Sequence, residues 1–185
     1  VMVIIFLILY MQFRSVPTTL MVFSGVAIAF AGGFLMIWLY AQGWFMDFEV
    51  FGTNLRNLFQ MKTINLSIAV WVGFIALFGI ATDNGVVLAA YLKQVFEKNK
   101  PEDVQTVREA VLEAGQKRIR PTLMTTATTL LALLPILSSS GRGSDVMIPM
   151  AIPTFGGMSI QIITLFVVPI LYSKWKESKL KKERS

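Results

Sequence analysis

The apolar residues of this chain come in unbroken blocks long enough to cross a membrane, and no other feature restricts its fold as strongly. A spanning helix needs about 20 mostly apolar residues. Val16–Ala41 and Thr63–Leu92 meet that length, and so does Val146–Tyr172, which is interrupted by Pro149, Pro153, Gly156 and Gly157. Pro121–Leu137 is a shorter fourth block, and Val1–Phe13 is apolar but short, as a truncated span would be. The expected fold is an all-α integral membrane protein, a polytopic helix bundle of about five spans with the first truncated. Val1 lies inside an apolar run with no basic start and no cleavage signal, so the chain is expected to be the C-terminal piece of something longer.

The joints divide the chain further. Residues 1–92 carry three spans (1–13, 16–41, 63–92) and a loop, 42–62, whose Trp44, Phe45, Phe48 and Phe51 suit a membrane interface. Residues 93–120 form a polar connector, 121–173 hold two more spans, and 174–185 are a basic tail. Val104, Val107, Val111 and Ala114 recur at helical spacing, with Glu102 and Asp103 before them and Lys117 and Arg118 after. That pattern predicts a short amphipathic helix, either on the inner membrane surface or packed under the bundle. Pro121 then suits the first turn of the next helix.

The cations sort by side. Of 17 Lys and Arg, Arg14, the connector and the tail hold 14, whereas Arg56, Lys62 and Arg142 stand on the other side. Cytoplasmic segments carry such an excess, so the C-terminus is expected in the cytoplasm. The net charge of +6 does not point to nucleic acid, because the cations share no soluble face. With no Cys and no His, disulfides, thiolate zinc sites, a cysteine nucleophile and the usual serine triad are all excluded. A phosphate-binding glycine loop is absent, so transport would draw on an ion gradient.

Asp83 is the informative residue, the only acid inside any apolar block. Ten residues before Lys93, it lies about 15 Å from the span end, near the middle of a hydrocarbon core about 30 Å thick. An ionised Asp there costs about 2.5–3.5 kcal/mol on insertion scales. It must face the bundle, a partner charge or water, either in proton or ion coupling or as a structural hydrogen bond. Asn84 beside it can donate and accept, while Gly79 and Gly85 permit close helix packing. Thr122, Thr125 and Thr129 share one helical stripe, whose hydroxyls can bond back to their own helix or pass a hydrogen bond to an acid. Gly25, Ala29 and Gly33 form a small-residue packing stripe. The ten Met are scattered; thioethers favour soft metals but are also ordinary core residues.

Three stretches carry a resemblance: Gly73-Phe-Ile-Ala-Leu-Phe-Gly-Ile-Ala-Thr-Asp-Asn-Gly-Val-Val87, Arg118-Ile-Arg-Pro-Thr-Leu-Met-Thr-Thr126, and Gly141-Arg-Gly-Ser-Asp-Val-Met147 with Phe155-Gly-Gly-Met158. In this order they resemble the resistance-nodulation-division permeases, closest to the heavy-metal efflux branch of the Cus (copper/silver) and Czc (cobalt/zinc/cadmium) type. The resemblance implies the last part of the eighth span through the twelfth of a twelve-span proton antiporter in the bacterial inner membrane. It implies a homotrimer working with a periplasmic adaptor and an outer-membrane channel, in contact with membrane lipid, carrying a metal cation and needing no cofactor. Asp83 matches an ionisable relay position and Thr125 a relay threonine of drug-exporting relatives, and Asn84, Thr122 and Thr125 are expected to solvate Asp83. Met147 matches a methionine that helps pass metal in copper/silver pumps. Those pumps carry a lysine directly after the Arg-Pro pair, where this chain has Thr122. The expected function is therefore proton-driven export of heavy-metal cations by a secondary transporter rather than an enzyme. The alternatives are export of organic amphiphiles on the same scaffold, or a non-transporting assembly module.

The charge asymmetry yields a first prediction. A reporter fused after Ser185 is active only when it is of the type that works in the cytoplasm; activity of an exported reporter at that position would reverse the topology.

Overall fold

A computed structural model describes residues 1–50, 52–99 and 104–183. Phe51 and the connector residues Pro101, Glu102 and Asp103 lie outside the described residues. The elements are α1 (Met2–Phe13), α2 (Val16–Ala41), β1 (Glu49–Val50), β2 (Thr53–Asn54), α3 (Leu55–Leu58), α4 (Ile68–Asn99), α5 (Val104–Leu137) and α6 (Ser144–Glu183). Apart from the two-residue strands, which pair antiparallel, the described fold is helical. Four helices are long and apolar enough to cross a membrane, and α1 is a shorter apolar helix. The all-α polytopic membrane protein expected from the apolar blocks is what the chain forms.

The helices outrun the blocks that nucleate them. At 1.5 Å per residue, α4, α5 and α6 reach about 48, 51 and 60 Å, well past a hydrocarbon core of about 30 Å. Residues 104–120 are accordingly the first half of α5 and not a separate surface helix, and Pro121 stands in the helix interior instead of its first turn. A proline there removes one backbone donor. The acceptor it leaves open is the Lys117 carbonyl, four residues back, and α5 runs on through this position unbroken. Pro149 and Pro153 likewise leave α6 unbroken.

Two compact units divide the chain. The first comprises Val1–Ala27, Ile80–Thr125 and Ile162–Ser185. One of its cores joins Leu9, Phe13, Val22 and Ala89. Another joins Leu88, Leu92, Val95 and Phe96 of α4 with Val107, Ala110 and Ala114 of α5 and Val168 and Tyr172 of α6. Val107, Ala110 and Ala114 of the apolar stripe are thus spent on packing against α4 and α6, in line with the second of its two sequence readings. Arg108 pairs with Glu177 at 2.9 Å, tying the start of α5 to the end of α6. The pair is partly exposed and so worth little by itself. α1 ends on Arg14 in a left-handed conformation, its amide donating to the Tyr10 carbonyl at 2.8 Å.

The second unit comprises Ile28–Gly79 and Thr126–Gln161. Its packing depends on glycine. Built on Gly73, a Cβ would collide with the Met150 carbonyl; on Gly33, it would lie 2.5 Å from Phe74 Cε1. Gly156 and Gly157 are closed in the same way by Met36 and Leu77. Phe74 fills the space this opens, with ring centroids 5.0 Å from Phe30 and 4.7 Å from Phe34. Thr154 Oγ1 donates across to the Gly73 carbonyl at 3.1 Å. A second cluster, around Tyr40, Met61, Leu137 and Ile152, closes the unit near the loop.

These contacts separate two glycines sharply. Gly73→Ala should destabilise the protein by about 1–3 kcal/mol, because backbone rather than a movable side chain opposes the new methyl. Gly43→Ala, in open space, should be neutral. Thermal unfolding of both variants in one detergent checks the difference; equal melting temperatures would contradict the packing described.

Candidate functional site

Residue Asp83 lies in the first unit, in the middle of α4. Its direction is set by its neighbours. Ala81, Leu88, Ala89 and Leu92 are buried. A Cβ on Gly85 would lie 2.8 Å from Val22 Cγ1, so the absence of a side chain at 85 lets α2 come close. Two residues are about 200° of helix rotation, and Asp83 therefore emerges on the opposite, exposed face. Among the described residues it makes no ion pair or hydrogen bond. Asn84 is half-buried beside it. Thr82 Oγ1 is buried with no hydrogen-bond partner among the described residues.

The α5 threonines are committed to their own helix. Thr122 Oγ1 donates to the Arg118 carbonyl at 2.9 Å, and Thr125 Oγ1 to the Thr122 carbonyl at 2.9 Å. Thr122 is half-buried and Thr125 exposed. Neither hydroxyl is hydrogen-bonded to Asp83. Just before them, the Arg118 guanidinium lies over the Tyr91 ring at 4.9 Å. α5 is also the least covered of the four long helices, with 6% of its most apolar window buried against 33–50% in the others.

Met147 belongs to the second unit, in the first turn of α6, and is 42% exposed. No group of three or more acidic, His or Cys side chains is placed to hold a metal among the described residues. Of the residues read as packing positions, Ala29 is buried and Gly33 is closed by Phe74. Gly25 lies at ordinary contact distance, 4.0 Å, from Thr164, and Gly79 faces open space. The sequence reading passed over Gln161 and Thr164, both buried in α6. Gln161 is the only side-chain amide in the apolar part of α6, and that was the available signal.

Residues 57–176 match the family model described as AcrB/AcrD/AcrF. The chain belongs to the AcrB/AcrD/AcrF family, the resistance-nodulation-division efflux permeases. It is 37% identical over 178 residues to the cation efflux system protein CusA of Escherichia coli K12, covering 92% of this chain and 15% of CusA. It is 30% identical over 172 residues to the cobalt-zinc-cadmium resistance protein CzcA of Cupriavidus metallidurans, covering 92% of this chain and 14% of CzcA. Against the nickel-cobalt-cadmium resistance protein NccA of Alcaligenes xylosoxydans xylosoxydans it is 34% identical over 162 residues, covering 87% of this chain and 12% of NccA. The chain thus spans about one seventh of the length of these relatives, and its likeness is to the heavy-metal branch.

The exposure of Asp83 can be read chemically, because the chain has no Cys of its own. A cysteine introduced as Asp83→Cys should react with a polar thiol reagent at least about ten times faster than one introduced as Leu88→Cys, whose site is buried, since the thiolate forms only where water reaches. Equal, slow labelling would mean that position 83 is dry.

Proposed function

We propose that this chain is the C-terminal transmembrane part of a proton-driven permease that exports heavy-metal cations, and that Asp83 is its proton-carrying group. The relatives support export of metal cations, being named for cation efflux or for resistance to cobalt, zinc, cadmium and nickel. The observation that carries the coupling is the position of Asp83, the only acid of the apolar block Thr63–Leu92, turned away from the packed face of α4. Lipid tolerates a carboxylate poorly. The carboxyl is protonated when its face is dry and ionised when hydrated or paired, and that difference biases helix packing between two states.

The neighbours divide the work by their hydrogen-bond capacity. With their protons given to backbone carbonyls, Thr122 and Thr125 keep lone pairs that accept from a protonated Asp83. The Asn84 amide donates to the ionised form. No relay lysine follows the Arg-Pro pair, so the charged partner comes from helices outside this chain. Met147 offers a thioether suited to a soft cation such as copper or silver. The working assembly is a homotrimer in the bacterial inner membrane, with the C-terminus in the cytoplasm and with a periplasmic adaptor and outer-membrane channel as partners.

The gradient is adequate for this work. One proton moving inward yields about 2.3 kcal/mol per 100 mV, and about 1.4 kcal/mol per pH unit. A monovalent cation taken from the cytoplasm returns the electrical part, so either more than one proton moves per ion or cargo is collected outside the inner membrane.

In the full-length permease, Asp83→Asn should abolish metal resistance while trimer yield stays unchanged, because Asn keeps the shape and loses the proton. Wild-type efflux by that variant at equal expression would remove Asp83 from the mechanism.

A further inference from the structure

In the second unit, the loop after α2 meets the ends of α2 and α5 around a cavity of about 50 Å³. Three of the ten Met line it: Met36 from α2, and Met46 and Met61 from the loop. Tyr40 lines it too and is 1% exposed, yet its hydroxyl makes no hydrogen bond among the described residues. The rest of the wall is aliphatic and aromatic, with no charged side chain. Two side chains fix the loop in place: Arg56 Nη1 donates to the Gln42 carbonyl, and Gln60 Nε2 to the Ser139 carbonyl at 2.7 Å. Met46 and Gln60 adopt left-handed φ values of 52° and 48°, a conformation unfavourable for residues with a Cβ. That strain is held where the loop brings Met46 and Met61 to the cavity.

We propose that this cavity binds one soft monovalent cation, copper(I) or silver(I), through the thioethers of Met36, Met46 and Met61. Size is the first argument. A cavity this small admits an ion or a water but no organic molecule, for which pockets begin at about 300 Å³. Donor chemistry is the second. Thioether sulfur is neutral and polarizable and selects soft metals. Zinc needs thiolate, imidazole or carboxylate, and calcium or magnesium needs charged oxygens; the wall offers none of these. Tyr40 is the third. A buried hydroxyl without a partner is costly, and a bound ion gives its oxygen one. Order is the fourth, because a loop already held in its binding conformation loses little entropy when the ion enters. In the topology proposed above, the loop stands on the side opposite the cytoplasm, where an exported ion leaves. That use rests on the export reading, whereas the binding rests on the donors alone.

The test is oxidation footprinting of the full-length permease in chloride-free detergent solution. Hydrogen peroxide is the oxidant, and methionine sulfoxide is read peptide by peptide. A sulfur lone pair given to a metal is closed to the oxidant. Micromolar silver(I) should therefore slow oxidation of Met36 and Met46 at least about tenfold and leave Met124, which is 73% exposed, unchanged. Met61→Leu keeps the volume and removes one donor, so silver should then protect Met36 and Met46 about tenfold less well. Unchanged oxidation of Met36 and Met46 at saturating silver would overturn the proposal and leave a packing cluster around at most a water. Equal protection by zinc(II) would overturn it too, and so would undiminished protection in a Met61→Leu variant that melts like the wild type. Where Met61→Leu fails to fold, the wild-type measurement alone decides. Resistance in Asp83→Asn bears on the export reading separately, because Asp83 contributes no donor to this cavity.

Discussion

Hydrocarbon offers no hydrogen bonds, and the whole structure answers that constraint. In water a backbone amide left open can bond to solvent; in lipid it costs several kcal/mol. The apolar blocks therefore become helices without regard to individual propensities, and prolines at 121, 149 and 153 are carried within them. Hydroxyls obey the same rule. Thr19, Ser24, Thr122, Thr125 and Ser159 each donate to a carbonyl three or four residues back. They are bound into their own helices before any function is asked of them.

Lipid also removes the usual force that drives helices together, since a neighbouring acyl chain is as apolar as a leucine. What remains is close contact. The second unit secures it by exchanging side chains for proximity. Gly33, Gly73, Gly156 and Gly157 have none, and Phe74, Met36 and Leu77 occupy the space they leave. The first unit relies more on ordinary apolar clusters, and its helix ends reach water, where Arg108 and Glu177 can meet.

Against that background Asp83 is costly, and the fold contributes to its placement by a small omission. Gly85 draws α2 toward one side of α4 and leaves the carboxyl on the other. An acid placed so needs either water or a partner, and it can change its charge state when either arrives or leaves. That is the chemical content of the proton-coupling proposal. α5 carries the weakest cover of the four long helices.

Block length and the placement of one acid were readable from the sequence, because both depend on local composition against a solvent of fixed thickness. The helical class and the number of apolar helices followed from that, while the kinship with efflux permeases rested on the resemblance of the stretches around Asp83, Pro121 and Met147. The fate of residues 104–120 did not follow. An amphipathic stripe fits a membrane surface or a protein neighbour equally well, and only the arrival of Leu88, Val95 and Val168 decided for the neighbour. The rotation of Asp83 away from α2 and the closure of Gly33 but not of Gly79 were likewise tertiary decisions. Each depends on which helix comes alongside, and a single chain read in order contains the residues of such a contact without the distance between them.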